Sequence, residues 1–313
     1  MKILVTGGAG FIGGELLRKL NELGYEDIVI IDKPDLLRTK DTVFSDFIDF
    51  TELIHASDFG FLDEIDFCFH LGANSSTRAS FKEVYHQNIK FSRNLITECA
   101  KRNIPVVFAS SGAIYGSNRA KNASPHPLTF YGQSKLVTEK FVTHSGVENI
   151  VCLRYHNVYG PTEHHKGDMS SIISKWVNAF FEGKKNNILF EGSDNILRDF
   201  IHVDDINKIN LLFLDYYLLN QKLPENKIYD VGTGNAVSFQ DVANEIINCT
   251  GGSIDFVVNP YDETNYQFHT QADVNAVMKI YNEVYHSNYE AMSIGLGIKN
   301  VFENIKKHST EKK

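Results

Sequence analysis

The chain has 313 residues, of which 42% are hydrophobic, so it can build a sizeable core in one large domain with a smaller appendage. Its formal net charge of −8 disfavours polyanions, and no basic patch interleaved with aromatic residues is present, so we expect no nucleic-acid partner. Since no apolar run approaches a membrane span and the four cysteines are dispersed, we expect a cytoplasmic protein with reduced thiols, no membrane contact and no metal site.

The first element predicted is a strand at Lys2–Thr6, which runs directly into a glycine-rich turn and a helical pattern at Phe11–Leu23. The turn has the spacing G-x-x-G-x-x-G. Its glycines allow a tight turn, close approach of the backbone to a pyrophosphate, and close packing of the following helix. The helix N-terminus then directs N–H groups at the phosphates. The residues predicted to hold a dinucleotide are Gly7, Gly10, Phe11, Ile12 and Gly13.

The second strand, predicted at Asp27–Asp32, ends in a carboxylate about 20 residues after the turn, which is the spacing at which a ribose hydroxyl is bound. A carboxylate at that strand end repels a 2′-phosphate. Asp32 therefore favours NAD as the cofactor.

Strands and helices continue to alternate along the first half of the chain. Further strands are predicted at Asp66–Leu71, Pro105–Ser110 and Ile150–Arg154, with helices at Phe81–Arg102 and Tyr131–Ser145. Near-continuous apolar strands between helices predict an α/β fold with a doubly wound parallel sheet of the Rossmann type. Ligands bind at the carboxyl ends of such strands.

After Gly160 the pattern changes to longer connections, a helix at Ser170–Glu182 and short strands near Ile188–Phe190 and Ile254–Val258. These features predict a smaller, mixed C-terminal lobe that binds the substrate. We expect residues 1–155 plus about 200–235 to form the dinucleotide-binding domain, and about 156–199 plus 236–313 to form the lobe.

Three residues form a candidate catalytic group. Tyr131 and Lys135 are four residues apart at the start of a predicted helix, so phenol and ammonium share one face. A nearby ammonium favours the phenolate, which would lower the pKa of the tyrosine. Ser111, at the end of the preceding strand, either hydrogen-bonds the reacting oxygen or caps a turn.

Together, the glycine turn, Ser111 and the Tyr131-x-x-x-Lys135 motif resemble the extended short-chain dehydrogenase/reductase family of nucleotide-sugar enzymes. Within that family, further segments are similar to the nucleotide-linked glycero-manno-heptose 6-epimerases. Those segments are residues 154–161, 164–170, 189–193, 198–200 and 266–273.

The resemblance implies oxidation and re-reduction of a nucleotide-diphosphate sugar, with epimerisation at C6 of a heptose favoured. It implies that Tyr131 and Lys166 are opposed acid/base groups and that Lys135 tunes the tyrosine and holds the nicotinamide ribose. It also implies a dimer that pairs the helices at Phe81–Arg102 and Tyr131–Ser145. The residues implied to surround the substrate diphosphate are Asn157, Arg198 and Tyr266.

Some of these residues have ordinary alternatives. Lys166 could be a solvated loop lysine, and Arg198 could form an ion pair with the neighbouring Asp199. His164 and His165 are interpreted as loop residues, since no third metal ligand has suitable spacing.

The cofactor side leaves two points open. Lys33 and Arg38 could accept the extra phosphate of NADP, as in the resembling epimerases, although Asp32 favours NAD. Asp46 and Phe47 resemble the pair that contacts the adenine, but Asp46 could also be an ordinary loop carboxylate.

The chain departs from the resembling epimerases on the substrate side. It has His156 in place of Phe, Gly112 in place of Ala, Thr162 in place of Arg and Asp168 in place of Ser. A heptose C4 dehydrogenase or a nucleotide-sugar 4-epimerase is therefore the alternative function. A non-catalytic cofactor sensor is a more distant one, because the Tyr/Lys pair is retained.

Overall fold

The computed structural model describes residues 1–36, 42–54, 58–76, 79–117, 124–182, 187–190, 193–252, 254–257 and 267–311. The strands are β1 (Ile3–Thr6), β2 (Ile28–Asp32), β3 (Asp46–Asp49), β4 (Phe67–His70), β5 (Val106–Ser111), β6 (Ile150–Tyr155), β7 (Val158–Tyr159), β8 (Asn187–Phe190), β9 (Leu197–Arg198), β10 (Ile201–His202), β11 (Ile228–Val231), β12 (Val237–Ser238) and β13 (Ile254–Val257). The α-helices are α1 (Phe11–Glu22), α2 (Phe50–Leu53), α3 (Phe81–Val84), α4 (Phe91–Lys101), α5 (Phe130–His144), α6 (Ile172–Phe181), α7 (Val203–Asn220), α8 (Phe239–Thr250), α9 (Asn275–Tyr285) and α10 (Ile294–Glu311). Short 3₁₀ turns cover Pro34–Leu36, Gly60–Glu64, Gly112–Tyr115, Glu163–Met169 and Ser193–Asn195, and a π-helical turn covers Tyr85–Lys90.

The main sheet has seven parallel strands in the order β11-β6-β5-β4-β1-β2-β3. The predicted doubly wound fold is therefore confirmed, and the predicted strands and helices of the first 155 residues agree with the observed ones to within one residue at their ends. The strand order reverses between β1 and β4, and a crevice at the carboxyl ends of those strands is where such sheets bind ligands.

Both faces of the sheet are covered by helices, which is why its central strands read as continuous apolar runs. One hydrophobic cluster joins β1 to α1 and α7 and includes Leu16, Leu17 and Phe213. The cluster on the other face joins the same sheet to α4 and includes Phe91 and Leu95. Burial on both sides fixes the sheet and thereby the position of its carboxyl edge.

The predicted helix at Phe81–Arg102 is interrupted by the π-helical turn between α3 and α4. The wider turn places Asn88 in the interior, where its amide donates to the carbonyl of Asn74 at 3.0 Å and to the hydroxyl of Ser134 at 3.1 Å. This local widening ties the segment after β4 to α5, which carries the candidate catalytic group.

The C-terminal part forms a second, smaller core from α6, α8 and α10, with Trp176 and Phe239 at its centre. Short pairs of strands surround it: β8 with β13, β9 with β12, and β7 with β10. Val277 and Ile280 of α9, together with Tyr289, pack in the cluster that joins β1, α1 and α7. The predicted division into two domains stays a prediction. No helix within the described ranges is long and apolar enough to cross a membrane.

Candidate active site

The turn between β1 and α1 is shaped by glycines whose missing side chains are required. Gly7 has a φ of +75°, and a Cβ there would lie 2.7 Å from the backbone of Gly72. A Cβ on Gly13 would lie 2.1 Å from the carbonyl oxygen of Gly7. At the N-cap of α1, Gly10 makes no side-chain cap, so the N–H groups of the first turn are available to a phosphate. The turn therefore fits the pyrophosphate of a dinucleotide.

A cavity of about 520 Å³ opens from this turn across the carboxyl ends of the central strands. It runs from the glycine turn at one end to the segment after β6 at the other. The predicted site residues that line it are Gly7, Gly10, Phe11, Ile12, Gly13, Asp32, Ser111, Tyr131, Lys135, Asn157 and Lys166. One cavity thus brings together residues that the sequence assigned to cofactor, catalysis and substrate.

Asp32 ends β2 and faces the cavity while its carboxylate accepts two backbone hydrogen bonds, from Ala9 N–H at 2.9 Å and Lys33 N–H at 2.8 Å. Burial raises the pKa of this carboxyl group, and the two N–H groups oppose the rise. Lys33 lines an adjoining cavity of about 290 Å³. Arg38 lies outside the described residues.

The adjoining cavity is lined by aromatic and aliphatic side chains, including Phe50 and Phe91, and its character suits a flat base. Asp46 and Phe47 do not line either cavity. Because β3 runs parallel to β2, Asp46 lies at the amino end of the strand and Asp49 at the carboxyl end. Asp46 and Phe47 therefore lie on β3 away from the lining of these two cavities, and Phe50 follows the carboxyl end of the strand. Contact of Asp46 and Phe47 with the adenine stays a prediction.

The candidate catalytic group is assembled from two neighbouring elements. Ser111 is the last residue of β5, and its Oγ accepts the N–H of Ala113 at 3.1 Å. Tyr131 lies in the first turn of α5 and lines the same cavity as Ser111. The ammonium of Lys135 donates to the carbonyl of Ala109 at 2.6 Å and lies 5.8 Å from the centroid of the Tyr131 ring. The predicted serine, tyrosine and lysine therefore face one another.

Burial dominates the protonation of this group. It raises the pKa of the Tyr131 phenol, and the hydrogen bond from Ser111 opposes the rise. It also lowers the pKa of Lys135 to about 7. The spacing of Tyr131 and Lys135 predicted that the ammonium would lower the pKa of the tyrosine. In the structure desolvation outweighs that effect, because both groups are buried.

Beneath the catalytic group lies a buried ionic network that the sequence analysis missed. Glu139 accepts the hydroxyl of Ser110 and two guanidinium hydrogen bonds from Arg154, at 2.9 and 2.7 Å. Arg154 also donates to the hydroxyl of Tyr115 at 2.7 Å, and that hydroxyl donates to Asp230. The one available signal was the spacing of Glu139, one helical turn after the catalytic lysine.

The substrate end is held by side chains that are distant in sequence. Asn157 donates to the carbonyl of Asp199 at 3.2 Å and to the hydroxyl of Thr270 at 2.9 Å. The carboxylate of Asp199 accepts the N–H groups of Thr233, Gly234 and Ala272 at 2.8, 2.9 and 3.0 Å. This carboxylate therefore joins the end of β11 to the segment that precedes α9.

Arg198 is buried beside the lobe rather than in the lining of the cavity. Its guanidinium donates to the carbonyls of Leu197 and Gln267 and lies 5.7 Å from the ring centroid of Phe239. The carboxylate of Asp199 is positioned by backbone N–H groups and not by an ion pair with Arg198. Tyr266 lies outside the described residues.

Lys166 sits on the 3₁₀ turn that follows β7. Its Nζ lies 3.2 Å from the carboxylate of Glu163 and 5.0 Å from the ring centroid of Phe11, at the start of α1. Glu163 is fully buried and also accepts hydrogen bonds from the backbone and hydroxyl of Ser171 and the hydroxyl of Ser174, at 2.7, 2.7 and 2.8 Å. Lys166 is therefore a partly exposed lysine that Glu163 holds at the cavity.

The side chains of His164, His165 and Asp168 lie outside the described part of the structure. Within the part that is described, no three His, Cys, Asp or Glu side chains are arranged to hold a metal ion. The four cysteines are free thiols, with Cys68, Cys99 and Cys152 buried.

Removal of a hydride from an alcohol carbon requires a nicotinamide beside a group that can take the hydroxyl proton. The cavity offers both, on a doubly wound sheet with a Ser-Tyr-Lys group. Fold and site together define an enzyme of the extended short-chain dehydrogenase/reductase class. The chain belongs to the NAD dependent epimerase/dehydratase family, whose family model matches residues 3–232.

Individual relatives narrow the comparison. The chain is 36% identical over 295 residues to an ADP-L-glycero-D-manno-heptose-6-epimerase of Alkalilimnicola ehrlichii, covering 87% of this chain and 89% of that protein. The crystal structure of the Helicobacter pylori ADP-L-glycero-D-manno-heptose-6-epimerase has a TM-score of 0.81 at 26% identity, covering 97% and 96% of the two chains. MoeE5 in complex with UDP-glucuronic acid and NAD has a TM-score of 0.79 at 26% identity, covering 98% and 100%. The similarity thus includes the lobe as well as the sheet.

Proposed function

We propose that this enzyme inverts C6 of a nucleotide-linked manno-heptose and uses NAD to do so. The observation that carries the proposal is that Tyr131 and Lys166, from two different elements, line one cavity together with the glycine turn. The two relatives named as heptose epimerases support the substrate class. Asp32 at the end of β2 supports NAD over NADP, because a carboxylate disfavours a 2′-phosphate.

The residues of the chain would divide the work as follows. Bound NAD supplies a hydride acceptor that can later return the hydride. Tyr131 takes the proton of the sugar hydroxyl at its phenol oxygen, and Ser111 holds the same oxygen through its hydroxyl. Lys135, held beside the phenol by Ala109, favours the phenolate when it is charged.

Lys166 would supply the second proton transfer. Epimerisation requires the hydride to return to the opposite face of the carbon, and the oxygen then needs a proton from a second group. The ammonium of Lys166 is a proton donor, and Glu163 and the ring of Phe11 hold it at the cavity. Turnover leaves the substrate an isomer and the cofactor in its starting oxidation state.

The alternative is a heptose C4 dehydrogenase or a nucleotide-sugar 4-epimerase that uses Tyr131 without Lys166. The ion pair of Lys166 with Glu163 favours it, because a lysine engaged by a carboxylate has to leave that carboxylate before it reaches a substrate. MoeE5, whose structure contains UDP-glucuronic acid, supports a different sugar as well.

The product decides between these functions. We would incubate the purified protein with ADP-D-glycero-D-manno-heptose in deuterium oxide, analyse the product by mass spectrometry and NMR, and follow absorbance at 340 nm. An isomer of unchanged mass with inverted C6 and no net reduced cofactor supports the epimerase. A product two mass units lighter with stoichiometric reduced cofactor would show a dehydrogenase, and inversion at C4 would show a 4-epimerase.

We also propose that the protein is a dimer through the face of α3 and α5. Phe81, Tyr85 and Phe130 are 56%, 43% and 46% exposed and contact one another, with Phe81 and Phe130 ring centroids 5.7 Å apart. Such an apolar patch suits a second copy across a two-fold axis. Sedimentation should show a dimer, and Phe130→Ser should give monomers. The matched control Leu219→Ser, which removes a side chain that is 67% exposed on α7, should stay dimeric.

Finally, we propose that the enzyme is located in the cytoplasm. Its buried free thiols, Cys68, Cys99 and Cys152, support a reducing compartment. Cell fractionation with immunodetection tests this location.

A further inference from the structure

His156 is a buried histidine at the substrate end of the cavity that the mechanism above does not use. It follows β6 directly, lines the cavity, and is 2% exposed. Among the described residues, neither of its ring nitrogens has a hydrogen-bond partner. A buried polar nitrogen without a partner is destabilising, so a native protein that keeps one has a use for it in another state.

The surroundings of His156 orient the ring. Its Nε2 lies 3.9 Å from a carboxylate oxygen of Asp230, which is too long for a hydrogen bond but close enough for attraction. Asp230 is already held by the hydroxyl of Tyr115, at 2.7 and 2.8 Å. The carboxylate therefore favours the proton on Nε2, which leaves Nδ1 as a hydrogen-bond acceptor.

The other side of the ring faces Gly112, the residue after Ser111. A Cβ on Gly112 would lie 3.1 Å from both Nδ1 and Cε1 of His156, so any side chain there would press on the imidazole. Gly112 and His156 line the same cavity as Tyr131. Because Gly112 has no side chain, the imidazole lies against its backbone next to the catalytic group, with Nδ1 closed off from solvent.

We propose that His156 is a substrate-binding residue: when substrate binds, the ring turns toward the cavity and Nδ1, which is closed off in the empty site, accepts a hydrogen bond from a hydroxyl of the sugar. Asp230 orients the ring and Gly112 gives it room to turn. The inference rests on the proposed function for the identity of the sugar. It also explains two departures noted in the sequence, His for Phe and Gly for Ala, as one change, because the two residues are in contact.

The hydrogen bond would set which sugar is preferred. Phe has the shape of the imidazole without its nitrogens, so a site with Phe gives no hydrogen bond at this position. A site built to bond a hydroxyl discriminates against a sugar that lacks it, because the polar group is then left without a partner. We therefore expect His156 to contribute to selection among nucleotide sugars more than to binding of the nucleotide.

The test compares His156→Phe with the wild type by calorimetry on NAD-loaded protein, with three probes: ADP-D-glycero-D-manno-heptose, UDP-glucose and free ADP. We expect the wild-type preference for its best nucleotide sugar over ADP to fall about tenfold in the variant, the loss of one hydrogen bond. Affinity for ADP should be unchanged. We expect the same loss of preference in Gly112→Ala, and none in His144→Phe, which alters an exposed histidine on α5.

A second readout separates binding from structure. If His156 serves the substrate, His156→Phe should keep or raise the melting temperature, because the unpartnered nitrogens are removed. An unchanged preference for the nucleotide sugar over ADP in both His156→Phe and Gly112→Ala would overturn the inference, as would an equal loss for nucleotide sugar and ADP. If His156→Phe fails to fold, the result with Gly112→Ala decides.

The outcome is distinguishable from failure of the proposed function. If the wild type prefers UDP-glucose and the variants lose that preference, the heptose assignment fails and the role of His156 stands. If the heptose nucleotide is bound and isomerised equally well by the variants, the proposed function stands and the role of His156 is wrong. A wild type that binds neither sugar more tightly than ADP overturns both.

Discussion

The two ends of the cavity are built in different ways. At the cofactor end, the glycine turn and Asp32 come from one β-α-β unit of about 30 residues, and the backbone itself makes the contacts. At the substrate end, Asn157 and Thr270 meet across more than a hundred residues of chain through a side-chain hydrogen bond of 2.9 Å. The cofactor end is therefore specified locally, whereas the substrate end exists only in the folded protein.

This difference explains where the chain departs from the epimerases it resembles. A substitution in the glycine turn meets backbone atoms that cannot move, as at Gly13. A substitution at the substrate end meets side chains, as His156 meets Gly112, and a second substitution can accommodate it. Residues at the substrate end can therefore change while the cofactor end is retained.

The largest effect is expected at Tyr131, where the two ends meet. Tyr131→Phe removes the oxygen that we propose takes the proton, so kcat should fall about a thousandfold while the affinity for NAD stays within about twofold. Steady-state kinetics and NAD titration measure the two quantities. Tyr216→Phe, on α7 and remote from the cavity, is the matched control. Retained turnover in the Tyr131 variant would show that the chemistry uses another group.

The next largest effect tests the cofactor end alone. Gly13→Ala places a Cβ 2.1 Å from the carbonyl of Gly7, so the turn has to move and NAD affinity should fall about a hundredfold. Gly14→Ala places its Cβ 3.6 Å from the nearest carbonyl, an ordinary contact, and should be neutral or slightly stabilising within α1. Equal NAD affinities of the two variants would show that the glycine turn does not specify the cofactor end.

A smaller effect is expected at the buried anchor of Lys166. Glu163→Gln keeps the shape of the side chain but removes the charge that holds the ammonium, so kcat should fall about tenfold with NAD affinity unchanged. The control is Glu148→Gln, at an exposed position. If Glu163→Gln lowers kcat no more than the control does, Glu163 only holds the fold of its turn.

The smallest effect concerns His70, a buried residue at the end of β4, and the pH dependence of the free energy of unfolding. Burial lowers the pKa of His70 to about 3, and its ring is hydrogen-bonded to the hydroxyls of Thr6 and Ser92. In the unfolded chain His70 takes up a proton near pH 6.5, whereas in the folded protein it stays neutral until about pH 3. The contribution of neutral His70 to the free energy of unfolding is therefore complete above pH 6.5 and is lost as the pH falls.

Between pH 6 and pH 4 we expect His70 to lower the free energy of unfolding by up to about 1.4 kcal/mol per pH unit. Urea unfolding at several pH values measures the slope. His70→Gln should flatten it, and His144→Gln, at an exposed position, should leave it unchanged. A slope that is the same in all three proteins would mean that His70 titrates alike in the folded and unfolded states.

The features that could be predicted from the sequence are those that local segments specify, as at the cofactor end. Five of the six strands up to β6, helices α1 and α5, and the Ser-Tyr-Lys group were predicted, because apolar runs and fixed spacings are local signals. Strand β3 was not predicted, since it is short and only partly buried and carries an aspartate at each end. The network of Glu139 and Arg154 was missed because the spacing of Glu139 after Lys135 does not reveal its partner, which lies on a different element, β6.

The carboxylate of Asp199 has a consequence for the motions of the molecule. It accepts hydrogen bonds from the N–H groups of Thr233, Gly234 and Ala272. The first two residues follow β11, and Ala272 precedes α9. None of these amides lies in a strand or helix. All three lose their hydrogen bonds when the carboxylate of Asp199 moves away. We therefore expect the three amides to exchange their hydrogens at one common rate. Two loop segments that are distant in sequence would then open together, as one element of secondary structure does.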